Sequence, residues 1–159
     1  MGVEDIPLTI SQKRQKGRGK DMNEEYSQEY LNEVSAYRME KAYSALEDAD
    51  YNAFGGKWDV AINRLYYACY YAATAYLMLC SIVTHTHAGV KSNINKMVRD
   101  GVLDRQFSLT FNRMFDMRHE SDYDDFVDYD AETVEQYRPL VSSFIEEMHC
   151  LINNHMSEG

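Results

Sequence analysis

Three cysteines, two prolines and eight glycines are all that these 159 residues contain of those types. Cys69, Cys80 and Cys150 are too few and odd in number for a disulfide scaffold, and none forms a Cys-x-x-Cys pair. So little proline and glycine argues against a turn-rich all-β fold. No run approaches the 18 consecutive apolar residues of a transmembrane helix, so no membrane span is expected. Positive charge is also short: 16 Lys and Arg stand against 26 Asp and Glu, for a net −10. That balance opposes nonspecific binding to nucleic acid, which depends on neutralising phosphates. What is present is 45% apolar and 26% charged residues, enough for one core and a hydrated surface. The expectation is a single all-α domain in the cytoplasm.

The few cations are unevenly placed. Residues 11–20 carry five positive charges and no negative one, while residues 21–159 hold 11 positive and 24 negative side chains. The basic stretch has no helical period, so residues 1–21 read as a disordered basic leader and 22–159 as the folded domain. No apolar stretch follows the positive charges, which argues against a secretory signal. An arm that touches RNA and a plain unstructured extension are both compatible with the leader's composition.

Five helical segments follow. Asp21 and Glu24 have capping-box spacing, and Leu31, Val34, Arg38, Ala42, Ala45, Leu46 and Ala49 mark one face of a helix to about Asp50, broken by Asn52 and Gly55-Gly56. Residues 57–80 are the most apolar. Trp58, Ala61, Ile62, Leu65, Ala68, Cys69, Ala72, Tyr76 and Leu79 form a stripe that Tyr66, Tyr67, Tyr70 and Tyr71 widen around most of the circumference. Such a helix must be covered by other helices or by a second subunit. Thr86 is a candidate N-cap for a third helix stopped at Asp100-Gly101. A fourth is expected from about Asp104 to Glu120, then an exposed acidic loop over 121–130. The last begins near Ala131, with a kink at Pro139 or a frayed first turn before it. Short connections predict an antiparallel bundle of four to five helices.

Three separated stretches carry a family likeness. They are Ala61-Ile62-Asn63-Arg64-Leu65-Tyr66-Tyr67-Ala68 with Ala72-Ala73, then Thr86-His87-Ala88-Gly89-Val90, then Asn112-Arg113-Met114-Phe115-Asp116-Met117-Arg118 running into Asp122-Tyr123-Asp124-Asp125-Phe126. In order and spacing the chain resembles the HEPN domain family over roughly Glu29 to Asn153. The resemblance implies a helical bundle that usually forms a homodimer. It also implies a role as the helical half of a toxin–antitoxin type system, with a nucleotidyltransferase as protein partner. Several members of the family are metal-independent RNases that use an Arg-x(4–6)-His motif, two copies facing across the dimer. Some carry a tyrosine after the His that the partner modifies with AMP. No cofactor is implied.

Arg113 and His119 satisfy that motif and are the candidate catalytic pair. A guanidinium can clamp a phosphate, and an imidazole titrating near neutrality can carry protons. Positions six apart differ by 120° around a helix, so both reach one phosphate only if the helix ends near His119 or if the pair acts across subunits. A second register anchors on Tyr123 as the modification site and reads Arg118, Asp122 and Tyr123 as an Arg-x3-Asp-Tyr motif without an assured catalytic pair. Arg118 with Asp122 and Asp116 with His119 are then ordinary partners on one helical face. Seven carboxylates over 116–130 make a negative rim against an approaching phosphate. The alternative function is therefore a catalytically inactive interaction or nucleotide-binding module using the cleft near Arg64, Arg113 and Arg118, or the acidic 121–130 loop, with Arg64, Arg118 and Asp122 as its binding residues. Arg64 is open to three roles: a polar patch opposite Arg113, a stack on Tyr67 or Tyr71, or a pair with a buried carboxylate. His85 and His87 would need two further ligands to hold a metal; loop hydrogen bonding is their other role.

Overall fold

The computed structural model describes residues 26–123 and 127–158. Among these residues five helices follow in order: α1 Gln28–Phe54, α2 Trp58–Leu79, α3 His87–Arg99, α4 Arg105–Tyr123 and α5 Ala131–Glu158. They form an all-α bundle, and among the described residues no helix is long and apolar enough to cross a membrane.

The tyrosine-rich helix sits at the centre. α2 packs against each of the other four helices. Its small residues Ala61, Ala68, Ala72, Ala73 and Ala75 are fully buried, which lets neighbouring helices approach closely. Ile62, Leu65 and Tyr66 fill the space between them at 0% exposure. Each such buried large side chain contributes roughly 1.5–3 kcal/mol by leaving water. Phe111, Met114 and Met117 of α4 and Val141, Phe144, Ile145 and Met148 of α5 complete the core.

The ends are set by local chemistry. Ser27 caps α1, its hydroxyl accepting from the Tyr30 N–H at 3.1 Å, so the helix starts at Gln28; the expected Asp21–Glu24 box and the leader lie outside the described residues. α1 also runs four residues past Asp50, because the Asn52 side chain satisfies itself by donating to the Asp48 carbonyl. The α3 cap is the expected one: Thr86 Oγ1 accepts from the Gly89 N–H at 2.9 Å. Both α2 and α3 close with paired bonds, Ile82 N–H to Leu77 O with Ser81 N–H to Met78 O, and Val102 N–H to Met97 O with Gly101 N–H to Val98 O. The closing residue is left-handed in each, glycine at 101 (φ 75°) but serine at 81 (φ 63°).

α4 extends to Tyr123, three residues beyond the expected Glu120, so 121–123 are helical rather than loop. Two contacts across one turn hold that end, the Arg118–Asp122 ion pair and the packing of Tyr123 on His119. The end of the acidic segment is tied down too. The Tyr129 hydroxyl donates to the Met117 carbonyl at 2.9 Å, and its N–H donates to Asp59. Asp130 caps α5, accepting from the Thr133 N–H and hydroxyl, which holds its carboxyl below the usual range. α5 is continuous through Pro139. Glu135, whose carbonyl loses its helical donor there, is exposed, so water can satisfy it.

Candidate functional site

The first turns of α2, the start of α3 and the last turns of α4 meet at one corner of the bundle. Tyr66 is wholly buried there, and burial pushes its phenol far above the ordinary value, so it keeps its proton. Its hydroxyl lies 2.7 Å from Nδ1 of His87, which the Thr86 cap presents at the head of α3. With the phenol donating, the neutral imidazole carries its own proton on Nε2. The His87 ring packs on Tyr70 at 4.6 Å between centroids and edge-on to Tyr67 at 5.9 Å.

Two arginines converge on the same aromatic group. The Arg64 guanidinium lies 4.9 Å from the centre of the Tyr67 ring and donates from Nε and Nη2 to Asn63 Oδ1. No carboxylate among the described residues reaches it, so of its three expected roles the stack on Tyr67 is the one formed. Arg118 approaches from α4, 5.5 Å from the Tyr66 ring centre and 5.7 Å from that of Tyr67. Its Nε is 3.2 Å from Asp122, and Nη2 donates to the Tyr67 hydroxyl at 3.4 Å. Nε is buried and off line for a hydrogen bond, so the Asp122 contact is an ion pair without a directed bond.

The corner therefore holds two cations, one imidazole and one carboxylate around an aromatic floor. Burial, and then Arg118, depress the His87 pKa below its ordinary 6.5, while Asp122 raises it. The folded state thus favours neutral His87. The resulting stability is fully present above pH 6.5 and declines as pH falls below it. His87→Gln is expected to flatten that segment of a thermal-denaturation series between pH 7.5 and 5; an unchanged slope would count against the burial of a neutral ring.

The other sequence candidates lie elsewhere. Arg113 is exposed, 3.6 Å from Glu120, and Tyr137 and Glu120 beside it hold its pKa above the ordinary value. His119 is exposed and packs on Tyr123 at 4.6 Å. Because α4 continues past His119, the two side chains leave the helix about 120° apart and do not converge within one chain. Asp116 pairs with Lys91 at 3.9 Å rather than with His119. Tyr123 is 75% exposed. Arg64, Arg118 and Asp122 are thus joined by Tyr67, which the sequence offered as a stacking partner of Arg64, and by His87 and Tyr66, which it offered for loop hydrogen bonding and as part of the apolar surface of the central helix. The one available signal was the placement of His87 directly behind a strong N-cap, at a fixed helix head.

Comparison with known proteins agrees with this architecture. Residues 35–151 match the HEPN domain. A UPF0332 protein of Thermotoga maritima is 27% identical over 122 residues, covering 76% of this chain and 92% of that protein. A candidate toxin of Methanocaldococcus jannaschii is 29% identical over 99 residues, 61% of this chain and 67% of that one. The match spans Arg64, Tyr66, Tyr67, His87, Arg118 and Asp122, and most of the chain: this protein belongs to the HEPN domain family.

Proposed function

We propose that this chain is the helical half of a toxin-type two-component system. It works in the cytoplasm as a homodimer beside a nucleotidyltransferase-type partner, and it binds a phosphodiester or nucleotide at the Arg64–Arg118 corner. The observation that carries the reading is the placement of two guanidiniums against the Tyr67 ring, with His87 beside them, in a chain of net charge −10. A phosphate meets repulsion over most of such a surface, and this corner concentrates the cations that offset it. Arginine forks suit phosphate oxygens, and the half-buried tyrosines offer a base a stacking surface. The likeness to the archaeal candidate toxin supports the toxin-type role.

Cleavage of RNA by Arg113 and His119 is the second reading. It is favoured by the exposure of both side chains, which leaves them reachable from a second copy of the chain. The contacts of Arg113 with Glu120 and Tyr137 must then yield to the substrate. Incubating the full chain with RNA in EDTA separates the readings. Cleavage abolished by His119→Ala supports the nuclease, whereas RNA that is bound but left intact supports the inactive module. If neither binding nor cleavage occurs, both fail.

Tyr123 is the proposed modification site, and the exposure of its ring leaves it open to a transferase. Intact-mass analysis after co-expression with a nucleotidyltransferase partner is expected to show one added nucleotide, absent in Tyr123→Phe. An unchanged mass in the parent chain would remove that role.

A further inference from the structure

A cavity that Tyr70 helps to line lies apart from the residues of the corner, and its chemistry differs from theirs. It has a volume of about 220 Å³ and is walled by Arg38 of α1, Tyr70 of α2, and Thr84 and His85 of the α2–α3 connection. Leu77 and Ile82 are among its apolar lining residues. At about 30 Å³ per water, the space would hold roughly seven waters, or a small organic molecule of similar size.

Arg38 is the unusual member. It is half-buried, yet among the described residues no carboxylate lies within ion-pair distance of it. Burial lowers its pKa, and nearby tyrosine hydroxyls offset that only in part. Buried cations are normally paired, because desolvation without a partner is costly. Arg38 is only half-buried, and its side chain forms part of the cavity wall.

The geometry points to a ligand site for a small organic monoanion, its carboxylate on the Arg38 fork and its apolar body against Leu77 and Ile82. One guanidinium matches a single negative charge. A doubly charged phosphate would leave an excess in a chain already at −10. Arg38 offers two parallel donors to a carboxylate, and Tyr70 adds a hydroxyl to the lining. The site is distinct from the Arg64–Arg118 corner, sharing only the Tyr70 ring, whose centre is 4.6 Å from that of His87.

The test is a titration of the full chain, in its native assembly state, with benzoate, benzamide and inorganic phosphate, followed by NMR and calorimetry. Benzoate is expected to bind saturably, with perturbed resonances at Tyr70 and Ile82. Benzamide, the neutral isostere, and the Arg38→Met variant are each expected to weaken binding by at least about tenfold. The benzamide comparison uses the parent chain and so does not depend on the variant folding. Absence of benzoate saturation, equal binding of benzamide, or phosphate binding more tightly than benzoate would each overturn the assignment. So would a change of assembly state in Arg38→Met without benzoate binding, which would assign the guanidinium to a carboxylate of a second copy.

Discussion

Phe111→Ala is expected to lower the stability of the domain by about 3–5 kcal/mol, the usual cost of emptying a fully enclosed phenyl site. Phe111 has 0% exposure and touches both halves of the molecule. Its ring lies 5.8 Å from Phe144 of α5 and 6.1 Å from Tyr66 of α2, so the cavity would open between the central helix and both later helices. Neighbouring Met114 and Met117 are wholly buried and can only partly collapse into it. For a chain of this size the melting temperature should drop by about 10 °C or more. Phe111→Leu retains most of the volume and should cost about half as much. Thermal or urea denaturation followed by circular dichroism measures both. A loss below about 1 kcal/mol for the alanine variant would mean that α4 does not pack on α2 as described.

Arg118→Met should have the largest effect on function. Its guanidinium faces Tyr66, Tyr67 and Asp122, and its side chain is only 20% exposed. Methionine keeps much of the apolar stem while removing the fork. Losing two charge-assisted bonds to a phosphate should weaken binding of a single-stranded RNA oligonucleotide on the order of 100-fold. Arg118→Lys should restore only part of it, since a point charge cannot reproduce the paired donors. The surface partner Asp122 contributes little to folding, so the melting temperature of Arg118→Met should fall by no more than a few degrees. Fluorescence anisotropy at fixed salt, alongside the melting curve, distinguishes lost binding from lost folding. Undiminished RNA affinity in a folded Arg118→Met chain would remove the proposed corner site, and leave Arg113 and His119 as the place to look.

Much of the helical framework was legible from residue order. The apolar period of Leu31, Ala42, Ala45 and Leu46 places α1, and the unbroken greasiness of residues 57–80 requires a central helix, which α2 is. Thr86 and Gly101 bracket α3 because a cap and a left-handed turn act within four residues of themselves. Such signals are local, so reading them needs no knowledge of neighbours. Element ends were less legible where a side chain replaced the expected signal. Asn52 carried α1 onward by bonding its own turn, and the Arg118–Asp122 pair with the Tyr123–His119 packing carried α4 onward into an aspartate-rich stretch.

Pairing between helices was beyond reach. Asp116 had His119 within one turn, but tertiary packing brought Lys91 of α3 alongside it instead. Arg113 and His119 share a motif spacing, yet their angular separation on a helix that runs on to Tyr123 keeps them apart within the chain. The amino-acid order alone determined that four amphipathic helices would form around a tyrosine-lined fifth, because periodicity and capping are properties of neighbouring residues. Only the packing of α2 against α3 and α4 decided that Arg64, Tyr66, Tyr67, His87 and Arg118 would meet, because that depends on the rotation and register of helices distant in sequence.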